Sequence, residues 1–255
     1  MNDLFALARQ RELIRLLLRR DIVARTSGTL LGGLWMLFQP ALQVAALWFL
    51  LDVVLKVRFP GMEGGFVGYY LTGMLPWLMI SEILLRSLGV MTEYSSLYQR
   101  SVFPLAILPL VPWMVSGGIY TLIFVVVALA ISGLHGALGA LILMFALLLW
   151  LAPMAYFLAV IGLFVRDVQQ MAPFVLTMLL YVTPILYLPT AFPEQLRWWL
   201  EINPFAHWMV LAHALVQGQP WDSKDVIILL LLWLVALFPA LWLFRRSEPH
   251  MREAL

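Results

Sequence analysis

Two lysines, four histidines and no cysteine bound the chemistry open to this 255-residue chain. A phosphate-gripping loop needs Gly-Lys followed by Ser or Thr, so that backbone N–H groups and the lysine can surround the phosphates. Lys56 follows Leu55 and Lys224 follows Ser223, so no such loop is written here. The histidines His135, His207, His213 and His250 include no i, i+4 pair, and the six-residue gap between His207 and His213 is wrong for one helical face. Without cysteine there is no disulfide framework, thiol nucleophile or Cys-based metal site. A membrane enzyme would need a convergent set of acids, bases or ligands, and no such set is legible.

Ion-driven carriers place acidic or basic side chains inside their spans. Asp52 and Glu82 fall near the ends of apolar runs, and the later runs have no acid or base in their cores. An active transporter built on this chain would therefore take its energy from an ATPase on another polypeptide, which requires a docking surface. Aromatic residues make up 13% of the chain, and most tryptophans suit interface belts. Trp77 and Trp150 lie near the centres of apolar runs, where that explanation fails. Aromatic faces in a pore suit sugar rings; ordinary helix packing is the alternative for each ring taken singly.

The elements that must carry these residues follow from composition. The chain is 63% hydrophobic and 12% charged, with a mean hydropathy of +0.93. A soluble domain is about a quarter charged, so this is an all-α integral membrane protein. Apolar runs predict six spans at 30–55, 66–87, 105–131, 137–164, 171–188 and 226–244 in a single transmembrane domain. From Ser101 to Val165 there is no Asp, Glu, Lys or Arg. One helix of that length would measure about 98 Å, roughly three times the hydrocarbon thickness. It must fold back, and Ser132-Gly133-Leu134-His135-Gly136 marks the place. There is no internal repeat or low-complexity segment, and the first apolar run is too long for a cleavable signal peptide.

Twelve Lys and Arg residues fall on one side of six spans and four on the other, Lys56, Arg58, Arg197 and Lys224. The positive-inside rule then puts both termini, the loop near residues 88–104 and the Arg166-Asp167 turn in the cytoplasm. Residues 4–25 predict an amphipathic helix in which Leu7, Leu13, Ile14, Leu17 and Leu18 share an arc of about 140° opposite the arginines, with Leu4, Leu16 and Ile22 off the pattern. It is either an interface helix among anionic headgroups or a topology signal. Met91 to Pro104 predicts a short helix whose Glu93, Tyr94, Tyr98, Arg100 and Phe103 make a docking surface, or else a solvated loop helix. Prolines Pro184, Pro189, Pro193 and Pro204 break the outer segment into two short re-entrant helices over 189–216, or into a lid on the membrane surface.

Three motifs carry a family resemblance. They are Arg25-Thr26-Ser27-Gly28-Thr29-Leu30-Leu31-Gly32-Gly33-Leu34-Trp35-Met36-Leu37-Phe38-Gln39-Pro40, then Phe164-Val165-Arg166-Asp167-Val168-Gln169-Gln170, and Tyr181-Val182-Thr183-Pro184-Ile185-Leu186-Tyr187 followed by Ile202-Asn203-Pro204. In this order and spacing the chain resembles the membrane subunits of type-2 ABC exporters that move O-antigen, capsular polysaccharide or teichoic acid. The span three to four hairpin is more apolar than in the more polar relatives.

The resemblance implies a homodimeric permease in the bacterial inner membrane that works with two copies of a cytoplasmic ABC ATPase. The permease holds no cofactor of its own; ATP and Mg belong to the ATPase. The substrate would be a polysaccharide or polyprenyl-linked glycan, with membrane lipids around the chain and no role for nucleic acid. ATPase coupling would fall to Glu93, Tyr94, Tyr98, Arg100, Phe103, Arg166 and Asp167. The substrate path would use Trp35, Phe38, Tyr69, Tyr70, Trp77 and Tyr181, and the outer gate Pro184, Tyr187, Pro189, Pro193, Asn203 and Pro204. The alternatives are a type-2 permease for a drug, haem or lipid, and a non-transport membrane protein of glycan synthesis.

Overall fold

The computed structural model describes residues 11–28, 30–57, 65–98 and 104–251. Leu4, Leu7, Arg9, Thr29, Arg58, Arg100, Phe103 and Arg252 lie outside them. The described residues are helical almost throughout, with four stretches long and apolar enough to cross a membrane: Gly32–Val54, Gly65–Glu93, Leu105–Phe164 and Ser223–Met251.

Helix α1 (Arg11–Thr26) is amphipathic. Leu17 is fully buried, with Leu13, Ile14 and Leu18 packed around it, while Arg11, Arg15, Arg19 and Arg20 are exposed. Leu16 and Ile22 are also exposed. α2 (Trp35–Trp48) follows a tight turn at Gly32–Leu34. Its last turn, Phe49–Val54, widens so that the Leu55 N–H reaches back five residues to the Leu50 carbonyl at 2.9 Å. α2 is poorly covered, with Leu37, Phe38, Leu42, Phe49 and Leu50 exposed.

α3 (Gly65–Glu93) is the central helix. Tyr69, Tyr70, Trp77, Met79, Ile80 and Ile83 are all buried. It runs on to Glu93, so residues 91–93 belong to its end, and the following α4 is a single turn, Ser95–Tyr98. α3 ends beside Tyr94, whose side chain is buried and whose hydroxyl donates to Asp21 of α1.

α5 (Leu110–Phe164) reverses direction at Ser132 and Gly133. Gly133 has φ +64° and ψ −153°, a conformation a side chain resists. The two arms run antiparallel: Trp113 Nε1 donates to the Leu148 carbonyl, and the Tyr156 hydroxyl to the Ala106 carbonyl, both at 2.7 Å. Two glycines on the second arm allow backbone contact. A methyl on Gly139 would overlap the Leu215 carbonyl, and one on Gly162 would overlap that of Leu88.

α6 (Arg166–Val182) has Leu176 as its buried residue and ends where Thr183 turns extended. Its 17 residues measure about 26 Å. The expected run to residue 188 therefore stops six residues early, because residues 183–188 are not helical and Pro184 cannot continue the helix. Single turns at Pro189–Ala191 and Glu194–Leu196 lead to α7 (Arg197–Ile202) and α8 (Pro204–Gln217). α8 starts with an Asn203 cap, its Oδ1 accepting from the Phe205 N–H at 3.0 Å, and Pro204 in the first turn. α8 is deeply buried against α3, α5 and α9 (Ser223–Met251).

Candidate functional site

Three clusters gather the polar and aromatic residues of the structure. The first joins α1, α3 and the first arm of α5. Asp21, 1% exposed, takes both terminal nitrogens of Arg86, one at 3.1 Å, while Arg25 Nε lies 3.2 Å away and the Tyr94 hydroxyl donates at 3.2 Å. Burial and the neighbouring Asp21 and Glu93 carboxylates push the Tyr94 hydroxyl up, which keeps it a donor. Arg25 also donates to Glu82 at 2.7 Å and to Ser116 at 3.0 Å, and the Ser116 hydroxyl donates to Glu82 at 2.8 Å. The guanidinium groups of Arg25 and Arg86 thus face the carboxylates of Asp21 and Glu82. A cleft of about 480 Å³ opens beside it, lined by Trp35, Gln39, Gln43, Ser81, Glu82 and Tyr120.

The second cluster is aromatic. Trp77 and Trp150 both meet Phe205 edge-on, at 5.4 and 6.1 Å between ring centres, and Trp150 meets Trp208 at 6.0 Å. The Trp150 indole donates to the Leu229 carbonyl at 3.0 Å. Both mid-run tryptophans are therefore packed in the protomer core. The third cluster surrounds residues 183–188: Tyr69 stands within hydrogen-bonding reach of the Pro184 and Tyr187 carbonyls and stacks on His213 at 3.9 Å. Nearby, His207 Nδ1 lies 2.6 Å from Asp225 Oδ1, with its Nε2 3.0 Å from the Glu201 carbonyl.

The six aromatic residues expected on a substrate path separate into two groups. Tyr69, Tyr70 and Trp77 are at most 3% exposed, whereas Trp35, Phe38 and Tyr181 are 39–54% exposed on α2 and α6. Among the coupling residues, Tyr94 is buried, Glu93, Arg166 and Asp167 are exposed, and Tyr98 lies in α4. Pro184 and Asn203 are buried, Tyr187 and Pro204 half-buried, and Pro189 and Pro193 exposed.

Sequence reasoning missed the Asp21 and Glu82 pairings, because their partners in α3, α5 and α1 are 34 to 73 residues away. It also found no carboxylate partner for His207; Asp225, 18 residues on, supplies one from another helix. Nothing in the spacing of Gln169 in the sequence marks it as a tie between helices. Its side-chain amide donates to the Leu88 carbonyl at 3.0 Å and the Gly162 carbonyl at 2.8 Å, tying α6 to α3 and α5.

The fold is that of a multi-pass helical membrane protein in which the buried carboxylates of Asp21 and Asp225 and the nearby Glu82 are held by cationic or histidine side chains. The chain belongs to the ABC-2 type transporter family, whose model matches residues 12–216. It is 22% identical to the O-antigen export system permease protein RfbA of Klebsiella pneumoniae, over 96% of this chain and 95% of that one. It is 26% identical to RfbA of Myxococcus xanthus, over 88% and 89% of the two chains. The polysialic acid transport protein KpsM of Escherichia coli is 25% identical over 95% of this chain and 96% of its own.

Proposed function

We propose that this chain is the permease of an ATP-driven exporter that carries a polysaccharide, or a lipid-linked polysaccharide, across the bacterial inner membrane. The observation that carries the reading is end-to-end similarity to relatives named for O-antigen export and polysialic acid transport. The chain works as a homodimer with two copies of an ATPase subunit, which binds the ATP and Mg.

Six spans correspond to α2, α3, the two arms of α5, α6 and α9. α7 and the buried α8 form the re-entrant pair, and α1 is the interface helix. Both termini face the cytoplasm, in keeping with the 12 to 4 split of Lys and Arg. The uncovered faces of α2 and α6 favour a second protomer across the path, with Trp35, Phe38 and Tyr181 on the faces that meet substrate. The cleft beside Trp35, which combines an indole with two glutamine amides, suits a sugar ring: its C–H face stacks while its hydroxyls find polar partners. Glu93, Tyr98, Arg100, Phe103, Arg166 and Asp167 form the ATPase-facing surface, with Tyr94 bracing it from beneath. Residues 183–204 form the outer gate.

The test is complementation. A host lacking its own glycan permease is given this chain together with the ATPase subunit encoded beside it, and cell-surface glycan is measured. Surface glycan that disappears when either subunit is omitted supports the proposal. A chain that neither dimerises nor recruits the ATPase, with glycan retained inside, would overturn it.

A further inference from the structure

Residues 183–188 leave the helix inside the bundle, so the carbonyls there have lost the donors a helix would provide. At membrane depth such groups need partners from the protein. The Tyr69 hydroxyl lies 3.2 Å from the Pro184 carbonyl and 3.0 Å from that of Tyr187, so a single hydrogen serves two acceptors. Tyr69 is part of a stripe on α3. Gly73, four residues on, lets Ile185 sit against the helix, since a methyl there would lie 3.3 Å from Ile185 Cγ2. Trp77, four further, packs edge-on against Phe205 at the start of α8. From the other side, Asn203 Nδ2 donates to Thr183 Oγ1 at 3.0 Å.

α6 is thus tied to α3 by polar contacts at its two ends, with the apolar Leu176, Leu179 and Leu180 packed into the core between them. Gln169 reaches the Leu88 carbonyl near one end of α3, Tyr69 reaches the Pro184 and Tyr187 carbonyls near the other, and Leu176 is the buried residue between them. At the Gln169 end the amide has a hydrogen for each of its two carbonyls, whereas at the other end the one Tyr69 hydrogen is shared between two.

We infer that Tyr69 is a positioning residue of the outer gate: its hydroxyl clasps residues 184–187 against α3 in the closed channel, and letting go frees the far end of α6. The inference rests on the exporter reading, and it moves Tyr69 from the substrate path to the gate. α3 is continuous from Tyr69 to the Arg86–Asp21 pair, so a shift of α1 at the inner side has a direct route to the clasp.

The experiment uses the complete exporter, permease and ATPase subunit, reconstituted in planar bilayers, with potassium chloride conductance recorded in the absence of ATP. One ordinary hydrogen bond biases a two-state equilibrium by up to roughly tenfold. Tyr69→Phe is expected to raise the ATP-free conductance by about that factor, while the thermal midpoint of the purified complex stays near the wild type. Thr183→Val keeps the volume and removes the acceptor for Asn203; it should leak in the same way. A merely structural role would move the midpoint and not the conductance of the folded fraction. Wild-type conductance in both variants, or leak that rises only with loss of the folded complex, overturns the inference. The probe is an inorganic salt, so leak from the variants beside a wild type that exports no glycan would remove the proposed substrate and leave the clasp standing.

Discussion

Asp21 is the residue on which three side chains, those of Arg25, Arg86 and Tyr94, converge. It is buried in α1 and held by Arg86 and Tyr94 around the end of α3 and by Arg25 one turn along its own helix. Removing one partner from a buried ionic group leaves the others uncompensated, which typically destabilises by about 3 kcal/mol or more. Asp21→Asn is therefore expected to lower the stability of the detergent-solubilised protein by about 3 kcal/mol, read from thermal unfolding. An unchanged midpoint would mean that water already screens the cluster. The His207–Asp225 pair makes a similar demand with one contact fewer. Asp225→Asn should destabilise by about 2 kcal/mol, and combining it with His207→Gln should add much less than His207→Gln costs alone, because the interaction has already been lost. Residue types and rough depth were legible in the sequence, but partners were not. An i, i+4 search finds Arg25 beside Asp21, yet no spacing rule links Asp21 to residues 65 and 73 positions away, or His207 to a carboxylate on another helix.

Elements were legible wherever hydrophobicity and glycine act alone. The uncharged stretch from Ser101 to Val165 exceeds any membrane, so a reversal had to fall within it, and it comes at Ser132–Gly133, at the start of the one polar cluster. Ends set by tertiary contacts were harder to read. α3 ends beside Tyr94, whose hydroxyl meets Asp21 of α1, and the residues after Val182, where Pro184 stops α6, are held by side chains from α3 and by the Asn203 cap of α8. Glycine spacing gives no hint of which glycines are helix contacts. Gly162 lies against the Leu88 carbonyl, whereas Gly118, on the first arm of α5, faces open space. Gly162→Ala is expected to destabilise by about 2 kcal/mol, since backbone must move to admit the methyl. Gly118→Ala should be neutral or stabilise by up to about 1 kcal/mol, because alanine is the better helix former. Equal effects at the two sites, measured by thermal unfolding, would contradict the close approach of α5 to α3.

At the scale of the molecule, the ionisable groups of the core lie in two separated places. Glu82 and Arg25 stand at the α1 side, and His207 and Asp225 stand at the other end, with the Trp77, Trp150, Phe205 and Trp208 cluster buried among the helices. The three carboxylates, Asp21, Glu82 and Asp225, are held by cationic or histidine partners, which suits fastening helices rather than passing protons along them. In the exporter proposed above, movement is imposed from outside, and the proposed place for it is the first turn of α6, where Arg166 and Asp167 are exposed and Gln169 grips α3 and α5 just beyond. A force on that turn bears on both neighbouring helices. Reversing its charges with Arg166→Glu and Asp167→Arg should lower ATP-driven glycan export by at least about tenfold, the effect of losing one well-placed polar contact at an interface. Arg100→Ala and Phe103→Ala, which lie outside the described residues, should lower export in the same direction. Membrane insertion should persist in the Arg166 and Asp167 variants, since both side chains are exposed. Export assays run beside co-purification of the ATPase subunit separate the two ways to fail. Lost export with lost ATPase binding marks a docking surface, and lost export with binding intact marks a lever that still holds its partner but no longer moves α3. Full export from all of these variants would place the drive elsewhere on the chain.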